Sequence, residues 1–202
     1  MVNSNLNFIM ENKTFETYFQ KLQACGIPEE ACLKLREKYG DVLHIASYGT
    51  KQDSGLAYEG SMIETSLRKL AVFAIKINEL YPERIRVDNK SLVKICLLQH
   101  ISKSLRLVKQ NDTWRAEKLG EIYTYNSGMP AIGTGLHSLL MATECGIEFT
   151  PFEVEAITII DKKDDDLQAK FYSSMLTSII RQANEMVHVY TQEVEKAKKQ
   201  KQ

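Results

Sequence analysis

Four histidines, His44, His100, His137 and His188, are the side chains of this 202-residue chain best suited to general-base or metal-ligand work. No two of them stand four apart, the spacing at which imidazoles on one helix share a cation. The cysteines, Cys25, Cys32, Cys96 and Cys145, include no C-x-x-C pair. A thiolate zinc site or dithiol redox centre therefore has no pattern behind it, and reduced thiols are expected. Acids gather in DKKDDD, 161–166, without calcium-loop spacing, so a solvated charge run is expected there. Ser61 follows Gly60 but sits in no G-x-S-x-G elbow, and IGTG at 132–135 is too short to cradle a phosphate. Lys103, Arg106 and Lys109 recur three apart and, with Arg68 and Arg115, suggest a basic stripe able to contact a phosphate ligand.

Balanced charge, 26 Lys plus Arg against 26 Asp plus Glu, removes any global pull toward nucleic acid or anionic membrane. No apolar run approaches the length of a membrane span. The opening MVNSNLNF lacks the basic and apolar regions of a secretion signal, so a cytoplasmic location is expected. With 44% hydrophobic residues the chain can bury one core. A single domain over 1–202 follows, with a short polar N-terminal tail and a basic, frayed C-terminal tail, EKAKKQKQ.

Apolar spacing sets the elements that must position these groups. Phe15, Phe19 and Leu22 predict a helix over 12–24; Gly26 and Pro28 interrupt, and PEEACLKLREKY restarts the pattern. Residues 46–60 read as a loop. A long helix over 60–80 carries Ile63, Leu67, Leu70, Ala71, Ala74 and Ile77 on one face. A further helix is predicted from Asp88 to Leu107, capped by Asp88 or Asn89. Trp114, Ile122, Tyr123 and Tyr125 suit short strands around a turn at Asn111-Asp112, giving a β-hairpin. Helices over about 136–145 and 151–160 follow, the second opened by Thr150, Pro151 and Glu153. The last, over about 168–195, lines up Phe171, Met175, Ile179, Ala183, Met186 and Val187. The fold class is mainly α, six or seven helices around one core with a small β-hairpin insertion.

Several of these segments resemble, in order, those of the HD-domain metal-dependent phosphohydrolases of bacteria and their phages. AYEGSMIETS, 57–66, is similar to a helix start that in the family usually reads like AYEGGLLEHS. SLVKICLLQHISK, 91–103, resembles the next helix, which ends in LLHDLxK. The hairpin and MPAIGTGLHSLL, 129–140, resemble the LPLGHGEKS region; EAITII, 155–160, lies where the family has A-I-R-W-H, and SIIRQANEM, 178–186, where a helix ends in H-x-A-D. The match spans roughly 40–190 and implies an HD-domain-like helical bundle.

In active members, histidines and aspartates at these places hold one or two divalent metals that activate water against a phosphoester. Here the corresponding positions are Thr65, the doublet Gln99-His100, Thr134, Ile160 and Asn184. A shift of one residue along a helix turns a side chain by about 100°, so His100 is expected to miss the ligand position. The set implies a pseudoenzyme with no metal and no cofactor, whose former centre is a neutral polar pocket. Glu64 and Lys103 keep the family pattern. The resemblance then implies a non-catalytic, phage-type protein acting as a binding, structural or regulatory component, cytoplasmic or part of a virion. Its partner would be another protein or a second copy, met through Trp114, Tyr123, Tyr125 and the terminal helix. Two other functions are compatible with the same residues. One is nucleotide or phosphate-ligand binding without hydrolysis, contacted by Lys103 and Arg106 beside Gln99, His100 and Asn184. The other is a rearranged phosphohydrolase in which His100, His137 and Asp161 converge.

Overall fold

A computed structural model describes residues 2–161 and 173–200, the side chains from Lys13 onward. Helix α1, Val2–Ala24, begins before the predicted start and buries Tyr18, Phe19 and Leu22. It stops at Gly26, whose φ of 90° lets Ile27 N–H bond back to the Leu22 carbonyl. Helix α2, Glu29–Ile45, opens with Glu29 and Glu30 in its first turn and runs through Gly40, past the predicted end. After the 46–60 loop come α3, Ser61–Thr65, a π-helical stretch, Ser66–Leu70, and α4, Ala71–Glu79, in one continuous rod. The predicted face holds: Ile63, Leu70, Ala71, Ala74 and Ile77 are buried and Leu67 packs at the core edge.

The helix expected from Asp88 to Leu107 is instead three elements. Helix α5, Asn89–Leu98, ends where residues 99–102 turn; α6, Lys103–Arg106, follows, and Leu107 opens a strand. Serine hydroxyls favour the break, because Ser102 Oγ donates to the Thr134 carbonyl and Ser104 Oγ to that of Ile101. Asp88 occupies the N-cap position without a side-chain bond; Asn78 instead holds the Val87 backbone and Asn89.

The hairpin is present, with different contents. Strands β1, Leu107–Lys109, and β2, Tyr123–Tyr125, pair antiparallel with Leu107 opposite Tyr125 and Lys109 opposite Tyr123. Trp114 lies in no strand: it sits in the first turn of α7, Thr113–Leu119, which forms the tip. Asp112 caps that helix by accepting from Arg115 N–H at 3.1 Å, and Gly120, at φ 63°, ends it.

Helix α8, Thr134–Glu144, starts two residues early. Helix α9, Pro151–Thr158, has the predicted capping box, Thr150 and Glu153 each bonding the other's backbone N–H, and continues into a 3-10 turn, Ile159–Asp161. Residues 162–172, which include most of the DKKDDD run and Phe171, lie outside the described residues. Helix α10, Met175–Lys199, is capped by Ser174 and continues through most of the stretch expected to fray. Its core face is Ile179, Ala183 and Val187, whereas Met186 is exposed. Helix α10 packs on α4 and α9, α4 on α5, and α8 on α9, so one apolar core runs between them. Among the described residues no helix is long and apolar enough to cross a membrane.

Candidate functional site

The turn that ends α5 gathers the buried polar groups. Gln99 and His100 are 0% and 5% exposed, and both reach one side chain on α10. Asn184 Nδ2 donates to Gln99 Oε1 at 3.1 Å and to the Ile180 carbonyl, while its Oδ1 lies 3.1 Å from His100 Nε2. The expected divergence of positions 99 and 100 does not occur, because His100 lies in the turn beyond α5 rather than on the helix. A fourth member, Tyr48 from the 46–60 loop, places its hydroxyl 2.9 Å from His100 Nε2.

These contacts fix the imidazole tautomer. Asn184 Oδ1 can only accept, so Nε2 carries the proton and Nδ1 keeps its lone pair. His100 Nδ1 has no partner, which is consistent, since a bare buried acceptor costs less than a bare donor. Burial holds the His100 pKa well below the usual histidine value, and the nearby Lys103 charge adds to this, so the ring is neutral at pH 7. Burial also raises the Tyr48 phenol, which therefore stays protonated.

Thr65 is fully buried on α3, and its hydroxyl is unpartnered, as are those of Ser66 and the Nε2 of Gln99. The π-helical stretch that begins at Ser66 packs against both α5 and α10, the elements that carry Gln99 and Asn184. A π-turn adds one residue to the helix and is a common local distortion beside polar sites.

Thr134 and Ile160 belong to a neighbouring arrangement. The Thr134 carbonyl accepts from Ser102 Oγ at 2.8 Å, and Ser138 Oγ bridges Ser102 N–H and Ser102 Oγ, both at 3.1 Å. Ile160 borders Gly135, where a side chain would collide with the Ile157 carbonyl. Asp161 closes the start of α8 by accepting from Gly135 N–H at 2.9 Å and Leu136 N–H at 2.8 Å. A carboxylate thus occupies the positive end of that helix. It leaves no room for a side chain at Gly133, so the glycines of IGTG serve close packing.

The basic residues form no free stripe. Lys103 Nζ turns inward to the Tyr48 carbonyl at 2.7 Å, and Arg106 donates to that of Ile132. Lys109 pairs with Glu59, Arg68 with Glu64, and Arg115 with Asp112 and Glu121. His100, His137 and Asp161 do not converge: among the described residues no three His, Cys, Asp or Glu side chains form a metal-binding group. The hairpin residues separate by exposure, with Tyr123 buried but Trp114 60% and Tyr125 69% exposed.

Of the polar centre's members, sequence reasoning missed Tyr48, Ser102 and Ser138. Tyr48 gave no signal because it lies in a loop, where no periodicity points a side chain inward. Comparison of the chain with protein-family models, characterised proteins and solved structures gives no match.

Proposed function

We propose that this chain is a non-catalytic, HD-like protein that works by binding. The observation that supports this reading most directly is the Gln99–His100–Asn184–Tyr48 network. The HD resemblance assigns metal ligation to Thr65, Gln99-His100, Thr134, Ile160 and Asn184. What stands there is neutral: amides, hydroxyls, an aliphatic chain and an uncharged imidazole whose Nε2 proton is already accepted within the network. A transition-metal cation is held most strongly by converging anions and imidazole lone pairs, and these groups supply no anion and a single free imidazole lone pair, that of His100 Nδ1.

Binding falls to the surface, and the excursion 107–125 is its most exposed aromatic feature. Trp114 and Tyr125 stand out with Val108 and Leu119, 40% and 45% exposed, around a strand pair anchored by buried Leu107 and Tyr123. Large aromatic side chains on a rigid support suit contact with a protein surface.

Metal titration of the purified protein tests the loss of catalysis. Loading with Mn, Fe, Ni and Zn is expected to leave substoichiometric metal, unchanged in His100→Ala, with no turnover of phosphomonoesters. One equivalent of metal that disappears in His100→Ala, together with turnover, would overturn the reading.

A further inference from the structure

Helix α1 carries Lys13, Thr17 and Lys21 at intervals of four residues, which brings them onto one face. That face is one wall of a groove of about 400 Å³; the other is the π-helical stretch, which contributes Leu67 and Arg68, and Thr14 completes the lining. Lys13, Lys21 and Arg68 are exposed, and Leu67 between them is half-buried. Among the described residues no acid lines the groove. Its cations therefore surround an apolar floor with nothing to neutralise them.

Composition does not account for this segregation. Cations and acids are equal in number over the chain, and Lys34, Lys38, Lys94 and Lys109 each hold a carboxylate. Lys13 and Lys21 hold none among the described residues, and helix spacing explains why. The positions four away from them are Ile9, Thr17 and Cys25, while Glu16, three from Lys13, is taken by Arg36. Arg68 reaches Glu64 only at 3.7 Å, with both side chains partly in solvent. By contrast, the groove beside α10 sets Asp53 and Glu195 among its lysines. A cleft lined by one sign of charge concentrates the opposite sign. The wall that carries Arg68 is also π-helical, a distortion that recurs at functional sites.

Spacing selects the ligand. Lys13 and Lys21 are about two turns apart, or about 12 Å along α1. In an extended peptide, residues i and i+4 share a face about 13 Å apart, with i+2 between them. We infer that this groove docks an extended acidic segment of a partner protein, with carboxylates four residues apart on Lys13 and Lys21 and an apolar side chain between them on Leu67. Arg68 meets the segment from the opposite wall. A nucleic-acid strand is a poorer fit, because no aromatic residue lines the groove to stack a base. An anionic membrane is poorer too, since polybasic contacts use about four to eight clustered cations. The groove is a second binding surface: none of its residues belongs to the hairpin or to the polar centre, so it stands whether or not catalysis is lost.

Fluorescence polarisation with the whole chain tests the docking site. The probe is a fluorescein-labelled peptide, T-E-T-L-T-E-T, whose β-branched residues favour the extended form, in about 50 mM salt to limit screening. Its Kd is expected below about 1 mM, because exposed ion pairs are individually weak. Lys13→Gln and Lys21→Gln should each weaken binding by up to about fivefold, and the two together by about tenfold. Both side chains are exposed, so neither change disturbs the core, and Lys199→Gln at the far end of α10 should bind as the parent does. The peptide T-T-E-E-T-L-T, of equal composition but with adjacent glutamates, should bind at least about fivefold more weakly. No binding below about 1 mM, equal affinity for the two peptides, or a double variant that binds like the parent would overturn the inference. Tighter binding of single-stranded oligothymidine or of phosphatidylserine vesicles, lost in the same double variant, would overturn it as well and assign the groove to nucleic acid or membrane.

Discussion

Replacing Asn184 with leucine should measure what the polar network contributes. The amide makes hydrogen bonds to His100 Nε2 and Gln99 Oε1, both at 3.1 Å, and its Oδ1 also accepts from the Tyr48 hydroxyl at 3.5 Å. The Ile180 carbonyl is a helix acceptor and loses little. One buried group, the Gln99 carbonyl oxygen, would be stranded at about 1–3 kcal/mol, while the imidazole N–H keeps the Tyr48 hydroxyl at 2.9 Å. Asn184 is only partly buried, so water can reach part of the gap. The net cost is then about 1–3 kcal/mol, a fall in Tm of about 2–12 °C for a chain of this size. Urea unfolding followed by far-ultraviolet circular dichroism is the assay, because the lone tryptophan is exposed and reports poorly on the core. Asn184→Asp should cost less than the leucine change. The new carboxylate can accept from His100, and the Gln99 amide can turn its unpartnered Nε2 toward it. A leucine variant within about 0.5 kcal/mol of the parent, with an unchanged m value, would refute the reasoning. So would equal losses in the two variants, since the cost would then owe nothing to hydrogen bonding.

Lys94→Met should destabilise by about 3–5 kcal/mol in the same urea experiment, because it leaves the Glu153 carboxylate buried. Burial alone would raise that carboxyl, but the Thr150 N–H and Lys94 outweigh it, and Glu153→Gln should therefore recover part of the loss in the double variant. Gly135→Ala drives a methyl into the Ile157 carbonyl and should cost about 3 kcal/mol, read as a lower urea midpoint, since backbone must shift to accept it. Acid should weaken the fold through His100. Its folded pKa lies below the ordinary value of 6.5, so the unfolded chain binds the extra proton, and stability is full above pH 6.5 and lost as pH falls below it. Unfolding free energies from urea titrations at pH 8 to 5 should decline, and His100→Asn should remove a slope approaching about 1.4 kcal/mol per pH unit, leaving the part due to His137 and His188, whose pKa values burial also lowers.

What could be read in the sequence was what local rules govern. Thr150, Pro151 and Glu153 announce α9 because all three parts of its start lie within four residues. The apolar face of residues 61–79 survives because burial, not hydrogen-bond type, sets its period. Trp114 misled because an aromatic residue favours strands, yet the Asp112 cap and the Gly120 stop were both visible and outweighed it. The break after Leu98 depends on Ser102 meeting Thr134, 32 positions away, which no window along the chain contains. The inward turn of Lys103 and Arg106 likewise depends on carbonyls of distant loops. Spacing could place the cations at intervals, but not say which way they pointed.

The π-helical stretch at Ser66–Leu70 also bears on how the chain can change length. A π-turn is equivalent to a single residue slipped into an α-helix. Removing one residue between Ser66 and Leu70 would let the rod close into regular α-helix with its backbone bonding intact. Residues before and after the deletion would then share an unbroken helical phase, and Met62 and Ile63 would turn by about 100° against Leu70, Ala74 and Ile77. Since both halves bury apolar side chains in one core, such a deletion would be tolerated locally and rejected by the packing. Descendants of this chain should therefore vary in length in the 46–60 loop and the hairpin tip, and keep a fixed residue count from Ser61 to Glu79.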